Sequence, residues 1–264
     1  MSRVLVLVSL IVALTATSSV SAQRSPPPAT KKAETKPKAA RRLRRDPPGF
    51  YKGREIARVM SFEGGAAWLI RETREQEEQP EAMLDALKIP KGATVADVGA
   101  GVGYTSLKIA KRVGDTGTVL ATDLQPAMIA TLKENAKAAG VKNIKPLLCT
   151  VKDTKLPEGK VDLIIMVDVY HESSDPEATL IGMRKALKPG GRLVLVEFRG
   201  EDPEVPIRPE HKMTLEQARK EVEPMGFIFK ECPEFLPWQH IIIFEKPKDE
   251  GKATKPDTEP SPNR

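Results

Sequence analysis

The sequence predicts an α/β domain: a parallel sheet with helices on both faces, preceded by a helical accessory segment. Three observations point there. Past residue 89, short runs rich in Val, Ile and Leu alternate with amphipathic stretches. Gly99, Gly101 and Gly103 form a glycine-rich turn between the first such run and the first such stretch. Gly, Pro and Asp then occupy the junctions where one element must stop and the next begin.

Val95 to Val98 reads as a short buried strand, followed by a helix with Tyr104, Leu107, Ala110 and Val113 on one face and Gly114 as its stop. Val119 to Thr122 is the next strand. Pro126 suits the first turn of the helix after it, Met128, Leu132 and Ala139 mark its buried face, and Gly140 ends it. Ile144 to Cys149 gives a third strand and "VDLIIMV" a fourth. Asp175 and Pro176 then supply an N-cap and a first-turn proline to a helix that turns Leu180, Met183 and Leu187 inward. "LKPGG" is a turn into a fifth strand, "RLVLVEF". Thr214 and Gln217 have capping-box spacing for one more helix, which Gly226 ends. Phe227 to Glu231 and Ile241 to Phe244 are the closing strands.

Upstream, residues 49–88 read as helical pieces forming an accessory lid. Within them "RETREQEE" has the pattern of a solvated helix face with i,i+4 pairs. Residues 1–22 have the form of a secretory signal: Arg3, an apolar run from Val4 to Leu14 broken only by Ser9, and small residues Val20, Ser21 and Ala22 before a mature start at Gln23. An exported location, periplasmic or secreted, is expected, with an uncleaved membrane anchor as the alternative. Residues 23–48 are a Pro/Lys/Arg linker without the large apolar side chains a fold needs, and 247–264 form a tail of the same kind.

The net charge of +6 belongs to these flanks. Arg3 contributes one positive charge, residues 23–46 seven and residues 246–264 one, which leaves −3 for residues 47–245. The domain lacks the positive field of a nucleic-acid binder, so no nucleic-acid partner is expected. Membrane contact through the N-terminal segment or the basic linker is open, and nothing bears on oligomeric state.

The spacing of the glycine loop excludes two common alternatives. A dinucleotide-binding G-x-G-x-x-G needs glycine where Tyr104 stands, and no Lys-Ser or Lys-Thr follows as a phosphate-binding loop requires. Asp123, ending the second strand, is placed to accept both hydroxyl protons of a ribose or to cap the next helix. His171 follows the fourth strand at its carboxyl end, where open α/β sheets bind ligands, and is the candidate base or a substrate-orienting group. Tyr170, Glu172, Glu197, Arg199, His211 and Lys212 fall on the same rim. His171, Glu172 and His211 have no recognised metal-ligand spacing, so no metal is expected. Trp68, with Phe50 and Tyr51, is a candidate for an apolar acceptor wall.

Taken together, Asp97 ending the first strand, the G-x-G-x-G loop, Asp123, "DTKLP" at Asp153 to Pro157, "VDLIIMVDVYHE" and "LKPGGRLVLVE" resemble the class I S-adenosylmethionine-dependent methyltransferase family over residues 89–246. The resemblance implies a Rossmann-like seven-stranded sheet of order 3-2-1-4-5-7-6 with the seventh strand antiparallel. It implies S-adenosyl-L-methionine as cofactor and a small-molecule methyl acceptor. The cofactor would be held by Gly99, Gly101 and Gly103 around its methionine part, Asp97 at its amino group, Asp123 at the ribose and Asp153 at the adenine amine, with Leu124 and Asp168 beside them. "DTKLP" is one residue shorter than the commoner form. His171 and Tyr170 are the expected catalytic residues, and Trp68, Glu172, Arg199 and His211 the expected acceptor contacts. The implied strand order places Cys149 and Cys232 at opposite sheet edges, too far apart for a disulfide. A second reading follows from location: an exported, catalytically inactive binding module of the same fold, because S-adenosylmethionine is made in the cytosol.

Overall fold

The computed structural model describes residues 46–248. The expected signal over 1–22, most of the 23–48 linker and the tail beyond 248 lie outside them. A hairpin, β1 (Phe50–Tyr51) and β2 (Arg54–Glu55), leads to α1 (Phe62–Leu69), α2 (Arg74–Glu78) and α3 (Pro80–Ala86). The Ser61 hydroxyl caps α1 by accepting from the Gly64 N–H at 3.4 Å. Pro80 occupies the first turn of α3, where its missing N–H costs nothing.

The sheet then begins. β3 (Thr94–Val98), α4 (Tyr104–Val113), β4 (Thr118–Asp123), α5 (Pro126–Ala138) and β5 (Ile144–Leu148) build one half. β6 (Val161–Val167), α6 (Pro176–Ala186), β7 (Leu187–Arg199), β8 (Lys212–Met213), α7 (Leu215–Val222), β9 (Ile228–Glu231) and β10 (Gln239–Glu245) build the other. Strands lie in the order β5-β4-β3-β6-β7-β10-β9. β10 runs antiparallel to β7 and β9, and the other pairs along this path are parallel. This is the expected order. β8 is an addition: it pairs in parallel with the end of β7, Lys212 opposite Phe198.

Alternate residues of β7 feed two cores, since successive strand residues face opposite sides. Leu193 and Leu195 pack with Leu180 and Met183 of α6 and Val222 of α7. Val194 and Val196 pack with Leu84 of α3 and Ile109 of α4. Each of these side chains is fully buried, a contribution of about 1.5–3 kcal/mol apiece. Arg74 and Glu78 correct the solvated reading of "RETREQEE". They form the anticipated i,i+4 ion pair, but both are buried, and Arg74 also donates to the Leu69 carbonyl at 2.7 Å.

Four local expectations shift. The buried face of α4 is Thr105, Ser106, Ile109, Ala110 and Val113, while Tyr104 and Leu107 are half-exposed. The helix is rotated because Ser106 reaches the buried Asp97 carboxylate, 2.6 Å away. In α5, Ala136 takes the inward place expected of Ala139. "LKPGG" is a bulge within β7: Leu187 pairs with Val161 and Arg192 with Leu163, so the residues between stand against Asp162 alone. The capping box is half-formed. Thr214 Oγ accepts from Gln217 N–H at 3.1 Å, but the Gln217 side chain goes to Glu221 at 2.7 Å.

Candidate active site

A cleft opens at the carboxyl ends of β3, β4 and β6. Its floor is the glycine loop. The N–H groups of Gly99 and Ala100 are spent on the Thr122 carbonyl at 2.8 and 2.9 Å, which folds the loop back over β4. Gly99 and Gly101 line the cleft with φ of 77° and 54°, conformations that favour glycine. Gly103, with φ 89°, instead starts α4 against Leu132 and does not line the cleft.

Asp123 closes the loop. One carboxylate oxygen accepts from the Gly101 N–H at 2.9 Å and the other from Gln125 N–H at 2.8 Å. Burial raises its pKa, and those same N–H groups oppose the rise. Each oxygen keeps a lone pair for a ligand hydroxyl. Leu124, Met128, Cys149 and Val151 form an apolar slot beside it. Asp97 lies beneath the loop rather than in the cleft, and burial pushes it up to about 6 despite the Ser106 hydroxyl. Asp168 does line the cleft, in a left-handed conformation with φ 54°. Both its oxygens face Gln239 Nε2, at 2.8 and 2.7 Å. Burial, then Glu78 and Glu197, raise its pKa well above the carboxylate range.

At the other end of the cleft stand His171, Glu172 and His211. His171 Nδ1 is 2.5 Å from Glu197 Oε2, and Glu197 Oε1 accepts from the Tyr170 N–H at 2.9 Å. His171 Nε2 meets His211 Nδ1 at 3.1 Å, and Arg208 approaches His211 Nε2 at 2.9 Å. One assignment of protons satisfies the whole chain. Arg208 donates to His211, His211 Nδ1–H to His171 Nε2, and His171 Nδ1–H to the Glu197 carboxylate. Burial, with the Arg208 guanidinium adding to it, lowers the His211 pKa, in keeping with a neutral ring. Burial pushes the Glu172 carboxyl up to about 7. His171, Glu172 and His211 thus come together as a group.

The accessory segment roofs the cleft with Val59, Met60, Trp68 and Leu69. It is tied down at both ends. Arg54 makes a double ion pair with the buried Glu221 at 2.8 and 3.1 Å and donates to the His171 carbonyl at 2.9 Å. Lys108 of α4 pairs with Glu75 and Glu81, both at 2.7 Å.

Several expected site residues lie elsewhere. Tyr170 is fully buried and points away from the cleft, its hydroxyl donating to Glu221 at 2.8 Å. Arg199 is a scaffold group that donates to the carbonyls of Leu236 at 2.7 Å, Gln239 at 2.8 Å and Pro237. Asp153 is exposed and paired with Lys155 at 2.6 Å, while its neighbours Val151 and Thr154 line the cleft. Phe50 and Tyr51 are outside the lining, and Lys212 donates to the Asp202 carbonyl at 2.9 Å. The pairings of Glu197 with His171 and of Arg54 with Glu221 had no signal in sequence spacing, because the partners lie on different elements.

Residues 89–246 match the family described as a methyltransferase domain. The chain belongs to that family. Among curated proteins, this methyltransferase-domain chain is 31% identical over 116 residues to the ubiquinone/menaquinone biosynthesis C-methyltransferase UbiE of Enterobacter sp. (strain 638), covering 44% of this chain and 46% of the relative. The protein of the same name from Citrobacter koseri is 30% identical over the same length. The chain spans less than half the length of these curated relatives. A solved SAM-dependent methyltransferase from Aquifex aeolicus is 25% identical with a TM-score of 0.67, covering 71% of this chain and 99% of that one. Phosphoethanolamine N-methyltransferase 2 of Haemonchus contortus, solved with S-adenosyl-L-methionine, shares the fold at a TM-score of 0.57 and 17% identity, over 71% of this chain and 57% of that one. The fold is that of S-adenosylmethionine-dependent methyltransferases.

Proposed function

We propose that the protein transfers the methyl group of S-adenosylmethionine to a small, largely apolar acceptor that must lose a proton to react. The observation that carries this reading is the continuity of one cleft from the Gly99–Gly101 loop and Asp123 at one end to the Glu197–His171–His211 chain at the other.

The residues fit the cofactor. Gly99 and Gly101 leave the loop bare, the Asp123 carboxylate offers acceptors to two ribose hydroxyls, and Leu124, Met128 and Val151 suit a flat base. When bound, the cofactor supplies a sulfonium methyl for in-line displacement. What remains for the protein is alignment and proton removal. Val59, Met60, Trp68 and Leu69 hold the acceptor and exclude water. An acceptor hydroxyl or acidic C–H displaces the His211 N–H from His171 Nε2, which takes the proton. Glu197 steadies the resulting imidazolium through Nδ1–H.

Support for carbon as the attacking atom comes only from the names of the curated relatives, which are C-methyltransferases. Export of the mature chain from Gln23 rests on the N-terminal sequence pattern, and reading the N-terminus of the protein from fractionated cells tests it.

Titration of the purified protein with S-adenosylmethionine and S-adenosylhomocysteine, beside NAD and ATP, tests the cofactor. Labelled-methyl transfer over panels of quinols, phenols and small amines tests the acceptor. His171→Asn should retain cofactor binding while turnover falls by about 10²–10⁴-fold, the usual span for a general base. Absence of S-adenosylmethionine binding would overturn the assignment, as would full turnover in His171→Asn.

A further inference from the structure

On the face of the sheet that carries Glu197, the neighbouring strand presents His240. β10 pairs His240 with Glu197 of β7, and directly opposed residues share a face. His240 is fully buried, and neither Nδ1 nor Nε2 has a hydrogen-bond partner among the described residues. A neutral imidazole has one N–H to donate and one lone pair to fill, and protein interiors rarely leave both unmet.

Two further groups converge on this ring. Cys232 directly follows β9 and Glu234 lies two residues beyond it. One ligand atom from each, with one ring nitrogen of His240, lies within 4.8 Å of the other two. Burial, then Glu234 and Glu201, push the Cys232 thiol up to about 12. Burial lowers the His240 pKa, and Glu201, Glu197 and Glu234 oppose that fall. The carboxylates that oppose a lone thiolate are those that would welcome a divalent ion.

We propose that Cys232, Glu234 and His240 form a zinc site outside the active-site cleft. Thiolate, imidazole and carboxylate together suit a borderline ion such as Zn²⁺, whereas Mg²⁺ and Ca²⁺ prefer oxygen alone. Three protein ligands leave a fourth position, and exposed Glu234 marks the side from which water fills it. On binding, the Cys232 proton leaves to solvent and the sulfur's electron pair goes to the metal. None of the three residues lines the cleft. The ion would pin the Pro233–Trp238 loop, already tied by Ile241 N–H donating to the Pro233 carbonyl at 3.0 Å, against β10 directly beside Glu197. Its role is therefore to steady the strand pair that holds the His171 partner.

The test uses the full chain, stripped with a chelator and titrated with Zn²⁺ by calorimetry and with Co²⁺ by absorption. The expected result is one Zn²⁺ per chain and a cobalt–thiolate charge-transfer band that Cys232→Ser abolishes and Cys149→Ser leaves. Glu234→Gln and His240→Asn should each weaken Zn²⁺ by more than the roughly 10–100-fold that losing an outer contact costs. Because Glu234 is exposed, its substitution does not threaten folding. In wild type, but not in Glu234→Gln, Zn²⁺ should raise the melting temperature. No bound Zn²⁺, or a cobalt band that survives Cys232→Ser, would overturn the proposal. So would loss of binding in His171→Asn with Cys232→Ser unaffected, which would place the ion among His171, Glu172 and His211. None of these readouts depends on methyl transfer.

Discussion

At Gly99 a methyl group has nowhere to go. An added Cβ would lie 2.5 Å from Val169 Cγ1 and 2.6 Å from Cγ2, at a backbone φ of 77°. Gly99→Ala should therefore lose about 1–3 kcal/mol of unfolding free energy, measured by urea titration, since a β-branched neighbour yields poorly. Asp123→Ala removes the acceptor of two loop N–H groups as well as the proposed ribose contacts. S-adenosylmethionine binding should weaken by about 10–100-fold in calorimetry. Glu172 makes a prediction about pH. Its folded pKa is about 7 against an ordinary 4.5, so between those values the folded state holds a proton that the unfolded chain has released. Stability must then fall as pH rises through this window. Relative to Glu172→Gln, wild type should lose about 2–4 kcal/mol between pH 4.5 and pH 8 in paired urea titrations, and the difference should be smallest at the acid end.

Among the elements, α2 depends most on burying its charges. Arg74 joins Glu78, the Leu69 carbonyl and the face of Tyr104, 4.4 Å from the ring centroid. Arg74→Ala should cost about 1–3 kcal/mol, because the buried Glu78 loses one of its two arginine partners while Arg71 stays 2.5 Å away. Hydrogen exchange should show Phe62–Leu69 opening before the sheet does. The strands and the glycine turn were legible in the sequence because their periods and breakers are local. The burial of Arg74 and Glu78 was not, because i,i+4 pairing gives the same pattern on a wet face and on one covered by α4. Tyr170 and His171 show the same limit at finer grain. Position after β6 put both on the rim, yet neighbouring residues of one tight turn aim differently, and only the buried Glu197 and Glu221 carboxylates determine which side chain faces which way.

Over the whole molecule, strand order governs what can be linked. Cys149 follows β5 and Cys232 follows β9, the two ends of the seven-strand path, and both are free thiols. Oxidising and reducing buffers should therefore give melting temperatures within about 2 °C of each other; one disulfide's worth of stabilisation would shift the midpoint by more. The class of chemistry was recoverable from the sequence because its glycine loop and Asp123 are spaced along one β-turn-α-β stretch. The Glu197–His171–His211 chain was not, because it assembles from three segments that meet only once β6, β7 and the turn before β8 are in place.

The antiparallel strand also sets a timetable. β10 is the last strand among the described residues, yet it lies between β7 and β9 and pairs with both. While the nascent chain is still emerging, β9 has no neighbour in its sheet and β7 shows the ribosome an open flank of unpaired amides. The second half of the domain must therefore wait for its final segment, with an unprotected edge that invites pairing with other chains until β10 arrives.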